Sequence, residues 1–376
     1  MIYLDSAATT LQKPPAVARA ASYAIGHLAS PGRGGHKPAM LAADTAFACR
    51  EAAADLFHVQ DPEHVVLTFN ATHGLNIAIK SLVKPGDTVL ISGYEHTAVT
   101  RPLAALGAKV KVCASSLFEP EVVLHQFEEK LTGEVKCVVC NHVSNVFGYV
   151  LPVEQIARVC RERGVPFILD ASQSAGCLEV NMTALGAAFI AMPGHKGLYG
   201  PQGTGLLLCG DTTTPLLEGG TGSASAQQLM PDFLPDRLEA GTHNIAGVAG
   251  LLEGIRFVQE KTPKVILEHE KRLLAQAADG LSGLKGVRAY ASPHQFAQAG
   301  VLSLQIRGMD CEAVGEALAE REIAVRSGLH CAPLAHRSAG TLEQGTVRAS
   351  FSAFNTPREV DRFVRETARL AQRAAQ

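Results

Sequence analysis

Short, almost entirely apolar runs alternate with helical patterns from about residue 64 to residue 208. Runs of this length, bounded by turn residues, are typical of buried strands. The predicted strands lie at 65–69, 88–91, 109–112, 137–140, 167–169 and 189–191. Because the runs lack the alternation of a half-exposed strand, we expect a mostly parallel sheet with helices on both faces.

The pattern changes after this region, where a predicted helix at 244–261 leads into a different order of elements. Strand, strand, helix, strand, strand and helix follow at 287–290, 301–306, 311–321, 323–326, 346–350 and 357–372. This order indicates a smaller α+β unit. The prediction is therefore an α/β chain with a large domain at 14–262 and a small C-terminal α+β domain at 263–376, joined by the N-terminal segment 1–13.

Residues 215–242 differ in character from the strands and helices that come before them. Within them, the Gly/Ser-rich stretch at 218–226 predicts a loop. A surface linker and a lid or dimer contact are equally weighted interpretations, because long loops in compact domains are often functional.

Composition and charge exclude several classes of protein. The 376 residues are 47% hydrophobic and 19% charged, with a formal net charge of −2, which is typical of a globular chain. Long Lys/Arg runs are absent from the sequence, so neither nucleic acid nor a membrane surface is an expected partner. No apolar stretch reaches the roughly 18 residues of a membrane span. The N-terminus lacks the basic and apolar regions of a signal peptide.

The nine cysteines are odd in number and widely spread, which indicates reduced thiols and not a disulfide framework. Cys137 and Cys140 form a CxxC pair, but they lie on a predicted buried strand, where residues three apart point to opposite faces. Small buried hydrophobic residues are favoured over zinc or redox chemistry, and no metal site is expected. The expected location is the cytoplasm.

Polar residues follow several of the predicted strands, close to the point where each strand ends. They are Thr72, His96, Asn145, Asp170 and Lys196. The carboxyl ends of parallel strands meet at one edge of a sheet, where α/β proteins bind their ligands. We therefore expect these side chains to lie in one site.

Lys196 lies among glycines in the stretch 193–201, and Asp170 directly follows an apolar run. A lysine amine can hold the aldehyde of pyridoxal 5'-phosphate as a Schiff base, and a buried carboxylate can keep the pyridine nitrogen protonated. The alternatives are a surface lysine and a helix cap. An acid behind an apolar strand would be costly to bury without a partner. We interpret the glycines as room for the backbone to approach a ligand.

Four neighbouring polar residues fit the same cofactor. Thr72 opens a predicted helix, whose N-terminus favours a phosphate, although an ordinary cap is the alternative. His96 could stack on the cofactor ring, but a lone histidine is more often structural. Asn145 and Gln173 could donate to the phenolic oxygen of the cofactor, or they could only form turns.

A second cluster occupies the stretch 325–333. There Cys331 follows His330 and lies near Arg326 in a Gly/Pro-containing loop, which is the electropositive setting of reactive thiols. Arg348 lies on a predicted strand, where a buried guanidinium needs a carboxylate. The α-carboxylate of a substrate fits the two parallel N–H donors of the guanidinium, and the alternative partner is a carboxylate of the protein in an internal salt bridge.

Together, these residues resemble the class V aminotransferase family, most closely its cysteine desulfurases and selenocysteine lyases. The resemblance extends from residues 3–10 to residues 354–361. It implies the PLP-dependent transferase fold type I, a homodimer with its active site at the subunit interface, and L-cysteine or a related small amino acid as substrate. It also implies a sulfur-acceptor protein as a partner.

The resemblance assigns roles residue by residue. The catalytic residues would be Lys196, Cys331 and His96. The cofactor would be bound by Thr72, His73, His96, Asn145, Asp170, Gln173, His195, Lys196 and Thr242, with Thr242 reaching the phosphate of the partner subunit. The substrate would be bound by Arg348, Asn145, Arg326 and His36.

Two positions depart from the family pattern. Pro193 stands where relatives often have a phosphate-donating Ser or Thr, so the phosphate would depend more on Thr72 and His195. His73 stands where many relatives carry an acid. The short span from Cys331 onward resembles the branch with a constrained cysteine loop, whose members tend to depend on an acceptor protein.

The implied reaction converts L-cysteine to L-alanine, with the sulfur transferred to Cys331 as a persulfide. One alternative is a selenocysteine lyase or a cysteine sulfinate-type β-lyase, for which Cys331 would be dispensable. Others are an aminotransferase for a small amino acid and a non-catalytic protein that kept the fold. The destination of the sulfur stays open among iron–sulfur clusters, thiolated tRNA and selenium metabolism.

Overall fold

The computed structural model describes residues 1–376 apart from residues 33, 211, 295–296 and 376. In this part of the chain the strands are β1 (Ile2–Tyr3), β2 (Val65–Thr68), β3 (Thr88–Ser92), β4 (Lys109–Cys113), β5 (Val135–Asn141), β6 (Phe167–Asp170), β7 (Phe189–Pro193), β8 (Gly205–Cys209), β9 (Val287–Tyr290), β10 (Val301–Ile306), β11 (Ile323–Ala324), β12 (Arg326–Gly328) and β13 (Thr346–Ser350).

The helices are α1 (Pro15–His27), α2 (Lys37–Phe57), α3 (Ala71–Leu82), α4 (Thr97–Ala105), α5 (Pro120–Lys130), α6 (Val153–Glu162), α7 (Met182–Leu185), α8 (Ile245–Lys261), α9 (Pro263–Ser282), α10 (Cys311–Ala319), α11 (Pro333–Ser338) and α12 (Pro357–Ala374). None of the helices in the described ranges is long and apolar enough to cross a membrane.

The large sheet has seven strands in the order β2-β8-β7-β6-β5-β3-β4. All neighbours pair in parallel except β8, which runs antiparallel to both β2 and β7. The mostly parallel mixed sheet is thereby confirmed, and each of the six predicted apolar runs is a strand. Strand β8 was not among them, although its sequence Gly-Leu-Leu-Leu-Cys is buried throughout.

Side chains of the large sheet pack into two cores, one on each face, because successive residues of a strand point to opposite sides. Leu90 and Cys140 belong to one core, and Ile91 and Cys137 belong to the other. The two cysteines of the CxxC pair therefore lie on opposite faces of β5, as the strand prediction requires.

The C-terminal sheet has four antiparallel strands in the order β12-β13-β10-β9, and its core includes residues of α9, α10 and α12. Helix α9 was missing from the predicted order of elements. The single predicted strand at 323–326 is two strands: β11 pairs in parallel with β1, and β12 pairs with β13. The N-terminal segment thus joins the edge of the C-terminal unit. The division into domains at residue 262 falls between α8 and α9 and stays a prediction.

Candidate functional site

An open cavity of about 530 Å³ lies at the carboxyl edge of the parallel strands. Its wall includes seven of the residues that the sequence singled out: Thr72, His96, Asn145, Asp170, Gln173, His195 and Lys196. They follow β2, β3, β5, β6 and β7, which all end at this edge. The structure therefore brings together residues that are up to 124 positions apart in the chain, counted from Thr72 to Lys196.

Lys196 and Asp170 form the charged centre of this cavity. Burial lowers the pKa of the Lys196 amine to about 8, and the negative charge of Asp170 acts in the opposite direction. Asp170 is 4% exposed at the end of β6, and its Oδ1 accepts a hydrogen bond of 2.9 Å from the Ser172 N–H. A lysine with a lowered pKa has more of its nucleophilic neutral form near pH 7.

The glycines around Lys196 make room for neighbouring chain segments and not for a ligand, which corrects our interpretation from the sequence. A Cβ atom on Gly197 would lie 2.3 Å from the Ala175 carbonyl oxygen, and one on Gly194 would lie 2.2 Å from Thr204 Oγ1. Gly176 packs against Gly197, also has no room for a Cβ atom, and has a φ of +93°. The lysine loop is held in place because glycines let these backbones touch.

His96 is the N-cap of α4, and its Nδ1 accepts a hydrogen bond of 3.0 Å from the Ala98 N–H. Burial lowers the pKa of His96, so the ring is neutral with its proton on Nε2. The next residue, Thr97, donates its N–H to the Cys331 carbonyl at 2.9 Å. One helix start thus fixes both the imidazole and the cysteine loop.

The N-terminus of α3 offers donors for an anion. Asn70 is the N-cap, since its side chain accepts from the His73 N–H at 2.9 Å. The cap role that the sequence left open for Thr72 therefore belongs to Asn70. The hydroxyl of Thr72 and the N–H groups of Ala71 and Thr72 are left for a ligand.

His195 complements this helix end with a buried ring atom. Its Nδ1 has no hydrogen-bond partner in the described part of the chain, and burial lowers the pKa of the ring to about 4. The His195 carbonyl is held by the Thr10 N–H at 3.0 Å. A neutral imidazole, a threonine hydroxyl and free helix N–H groups form a donor set that suits a phosphate.

Six of the candidates do not line the cavity: His36, His73, Thr242, Arg326, Cys331 and Arg348. His73, one position after Thr72, lies about 100° further around the helix and stacks on Phe69 at 4.5 Å between ring centroids. His36 is an exposed N-cap residue of α2. Thr242 is exposed on the segment before α8. The roles of His73 toward the cofactor and of His36 toward the substrate stay predictions.

Two amide side chains connect the cavity to other segments. Gln173 Nε2 donates to the Ala7 carbonyl at 2.9 Å, and Asn145 Nδ2 donates to the His330 carbonyl at 2.8 Å. The other amide atom of Asn145, Oδ1, is buried without a partner in the described residues. The cavity wall is therefore joined to both the N-terminal segment and the cysteine loop.

Cys331 is exposed, whereas the other eight cysteines are buried. His330 and Cys331 have φ values of 49° and 56°, so two successive residues adopt the left-handed conformation that forms a tight turn. Burial lowers the pKa of His330 to about 2, and its Nε2 lies 3.1 Å from the Thr346 carbonyl. His330 is thus a neutral support beneath a turn that presents the Cys331 thiol.

The two candidate substrate arginines share one carboxylate that the sequence did not reveal. Arg348 Nη2 lies 2.8 Å from Asp5 Oδ1, and Arg326 Nε lies 3.2 Å from Asp5 Oδ2. Arg348 is 2% exposed and does not line the cavity. Asp5 could have been noticed only as an acid within an apolar N-terminal stretch, which is a weak signal.

A buried acid lies directly behind the cavity wall. Glu95 is fully buried, and its Oε1 contacts the Ser92 hydroxyl at 2.5 Å and the Asn141 N–H at 2.8 Å. Burial raises the pKa of Glu95 to about 8, and the nearby charge of Asp170 acts in the same direction. Glu95 is therefore mostly a neutral acid at pH 7.

We expect Glu95→Gln to remove a pH dependence of stability. Between about pH 4.5 and 8 the folded protein keeps the Glu95 proton that the unfolded chain releases, so the free energy of unfolding falls as pH rises, by up to about 1.4 kcal/mol per pH unit. The stabilisation that comes from the Glu95 proton is complete below about pH 4.5 and is lost above about pH 8. Urea unfolding of the cofactor-free protein at several pH values measures this slope.

In Glu95→Gln, the free energy of unfolding should fall less steeply with pH than in the wild type, by the amount that corresponds to about one proton. Glu121→Gln, on an exposed side chain of α5, is the control and should keep the wild-type slope. Glu270, which is also buried and has its pKa raised to about 8, contributes equally to all three proteins. Equal slopes for Glu95→Gln and the wild type would show that Glu95 is ionised in the folded protein.

The fold and this cavity define a pyridoxal phosphate-dependent enzyme of fold type I. The residues present fit the cofactor: an amine for its aldehyde, a buried carboxylate for its ring nitrogen and unpartnered donors for its phosphate. The chain belongs to the aminotransferase class-V family, whose family model matches residues 2–363.

The chain is similar to several proteins that are named cysteine desulfurases. A probable cysteine desulfurase of Pyrococcus abyssi is 33% identical over 97% of this chain and 92% of the relative. The apo structure of a cysteine desulfurase from Thermococcus onnurineus has a TM-score of 0.89 at 32% identity, over 99% of this chain and 94% of that one. A structure of the Escherichia coli cysteine desulfurase CsdA (S-sulfonic acid) has a TM-score of 0.85 at 26% identity, over 98% and 94%.

Proposed function

We propose that this chain is a pyridoxal phosphate-dependent cysteine desulfurase, which converts L-cysteine to L-alanine and takes up the sulfur on Cys331 as a persulfide. One observation carries the proposal. The loop that presents the exposed Cys331 thiol is hydrogen-bonded to Asn145 in the wall around Lys196, and to Thr97, which directly follows the wall residue His96. Transaminases need no nucleophile at this position.

Bound pyridoxal phosphate would supply an electron sink for the α-carbon of the substrate. Lys196 would hold the cofactor and then, as a free amine, take the α-proton; its lowered pKa of about 8 suits a base near neutral pH. Asp170 would keep a negative charge opposite the ring nitrogen, and His96 would provide a flat, neutral face. Thr72, His195 and the first turn of α3 would bind the phosphate.

Cys331 would act on the sulfur of the substrate. Its thiolate attacks that sulfur, so that a sulfur–sulfur bond forms while the carbon–sulfur bond of the substrate breaks. The electron pair of the broken bond stays with the substrate carbon, which takes a proton and leaves as the methyl group of alanine. The enzyme keeps the persulfide, and an acceptor protein would remove the outer sulfur.

The substrate is tested by parallel turnover of L-cysteine, L-selenocysteine and L-cysteine sulfinate. We expect alanine from cysteine, formed in a ratio of one to one with sulfur on the enzyme or in an acceptor thiol. Turnover of selenocysteine alone would indicate a selenocysteine lyase, and a 2-oxo acid product would indicate an aminotransferase. Failure to turn over any amino acid with the cofactor bound would indicate a non-catalytic protein.

A homodimer forms part of the proposal. Several large apolar side chains are exposed in the subunit, among them Met40 (57%), Phe69 (50%) and Leu229 (84%), and a partner subunit would cover some of them. Thr242, which is exposed and lies outside its own cavity, would complete the phosphate site of the partner subunit. We also propose a cytoplasmic location, because Cys331 has to be a free thiol at the start of each cycle.

A further inference from the structure

Two arginines stand opposite each other in the C-terminal sheet. Arg326 on β12 and Arg348 on β13 are cross-strand partners, so their side chains leave the sheet on the same face. Like charges in this position repel each other unless an anion lies between them. The pair therefore requires a negative group on this face of the sheet.

Asp5 supplies that group and is fixed by the strand that carries Arg348. Its backbone forms a bridge to Ser350, and the Ser350 N–H donates to the Leu4 carbonyl at 2.7 Å. The Ala7 N–H donates to Ser350 Oγ at 2.8 Å. The N-terminal segment is thus attached to β13 on both sides of Asp5, so that the carboxylate and the two guanidinium groups keep a constant arrangement.

The charges of this triad do not cancel. Two guanidinium groups and one carboxylate leave one net positive charge, which belongs to the half-exposed Arg326 beside the buried pair of Arg348 and Asp5. Arg348 donates to Asp5 through Nη2 and to the Asn145 carbonyl through Nη1, at 2.8 Å each, while Nε is buried without a partner in the described residues. The unused Nε donor is costly to bury until an acceptor joins it, and the positive charge of Arg326 beside it favours an anion.

The triad is joined to the cavity wall through Asn145. Asn145, whose carbonyl accepts from Arg348, lines the cavity wall. After burial and Asp170, the charges that act on the pKa of Lys196 are those of Arg348, Arg326 and Asp5. An amino acid whose α-carbon is presented to the Lys196 amine would therefore bring its carboxylate toward the triad.

We infer that Asp5 is a positioning residue of the substrate site, which holds Arg348 and Arg326 so that their net positive charge binds the α-carboxylate of an amino acid. The inference rests on the proposed function, because it takes the substrate to be a free amino acid. Asp5 acts through Arg348 and does not itself touch the substrate. The two arginines that it holds in place select ligands with a carboxylate over the corresponding amines.

The test compares Asp5→Asn with the wild type, both loaded with cofactor. We expect KM for L-cysteine to rise about ten- to a hundredfold, with kcat changed less than about threefold, because the loss is in ground-state and transition-state binding alike. Binding of L-alanine, followed by the absorbance of the bound cofactor, should weaken by the same factor. Binding of ethylamine, which is alanine without its carboxylate, should be unchanged.

Two further variants make the outcome decisive. Asp44→Asn, on an exposed position of α2, is the control and should match the wild type. Arg326→Gln removes a side chain that is 52% exposed, so it should fold even where Asp5→Asn does not, and it should also weaken alanine but not ethylamine. Wild-type alanine affinity in Arg326→Gln and in folded Asp5→Asn would overturn the inference. A wild type that makes no alanine from cysteine would instead overturn the proposed function.

Discussion

Lys196→Ala is expected to lose cysteine turnover by about 10³-fold or more, together with the absorbance of the covalently held cofactor. The amine of Lys196 is the nucleophile that burial brings to a pKa of about 8 in the cavity, and it would both hold the cofactor and move the α-proton. Alanine can do neither. The measurement is the visible spectrum of the purified protein after incubation with pyridoxal phosphate, followed by the rate of alanine formation.

Lys80→Ala is the matched control, because Lys80 is an exposed lysine on α3 and takes no part in the cavity. It should keep the spectrum and the rate of the wild type. Borohydride reduction of the wild type should fix the cofactor on the peptide that contains Lys196. An unchanged spectrum in Lys196→Ala would show that the cofactor is attached elsewhere or not at all.

Cys331→Ser is expected to lower sulfur release from cysteine by about 10²-fold or more while leaving cofactor binding intact. The serine hydroxyl cannot form the sulfur–sulfur bond that removes sulfur from the substrate. The spectrum should not change, because Cys331 is exposed on a turn and lies outside the set of residues that line the cavity. Sulfide release in the presence of a thiol reductant and the cofactor spectrum are measured on the same sample.

Cys49→Ala, on the buried face of α2, is the control, because burial raises the pKa of the Cys49 thiol to about 12 and so makes it inert. It should retain the sulfur-releasing activity of the wild type. Full activity of Cys331→Ser would eliminate the persulfide step. The β-eliminating alternative, for which this cysteine is dispensable, would then be favoured.

Much of the cavity could be predicted because its residues combine two local signals, a side-chain type and a position after an apolar strand. Asp170 and Lys196 carry both signals, and the edge of a parallel sheet brings such positions together whatever the loops between them. Such local signals do not distinguish between two neighbouring residues on a helix. Thr72 and His73 are equally plausible in the sequence, yet only Thr72 lines the cavity.

The interactions that the sequence did not reveal are mostly long-range. Asp5 forms an ion pair with Arg348, which lies 343 positions later in the chain, and no periodicity or spacing in the sequence relates the two residues. The same holds for Gly197, which was interpreted from the sequence as room for a ligand but packs against the backbone at residues 175–176. Glu95 illustrates a third case, because its raised pKa comes from burial, which a sequence shows only indirectly.

The most direct measurement is the mass of the Cys331 peptide after the loaded enzyme has been incubated with L-cysteine and digested without reductant. We expect one additional sulfur atom on this peptide and on no other cysteine peptide, together with an equal amount of alanine. Alanine production with an unmodified Cys331 peptide would contradict the proposed function.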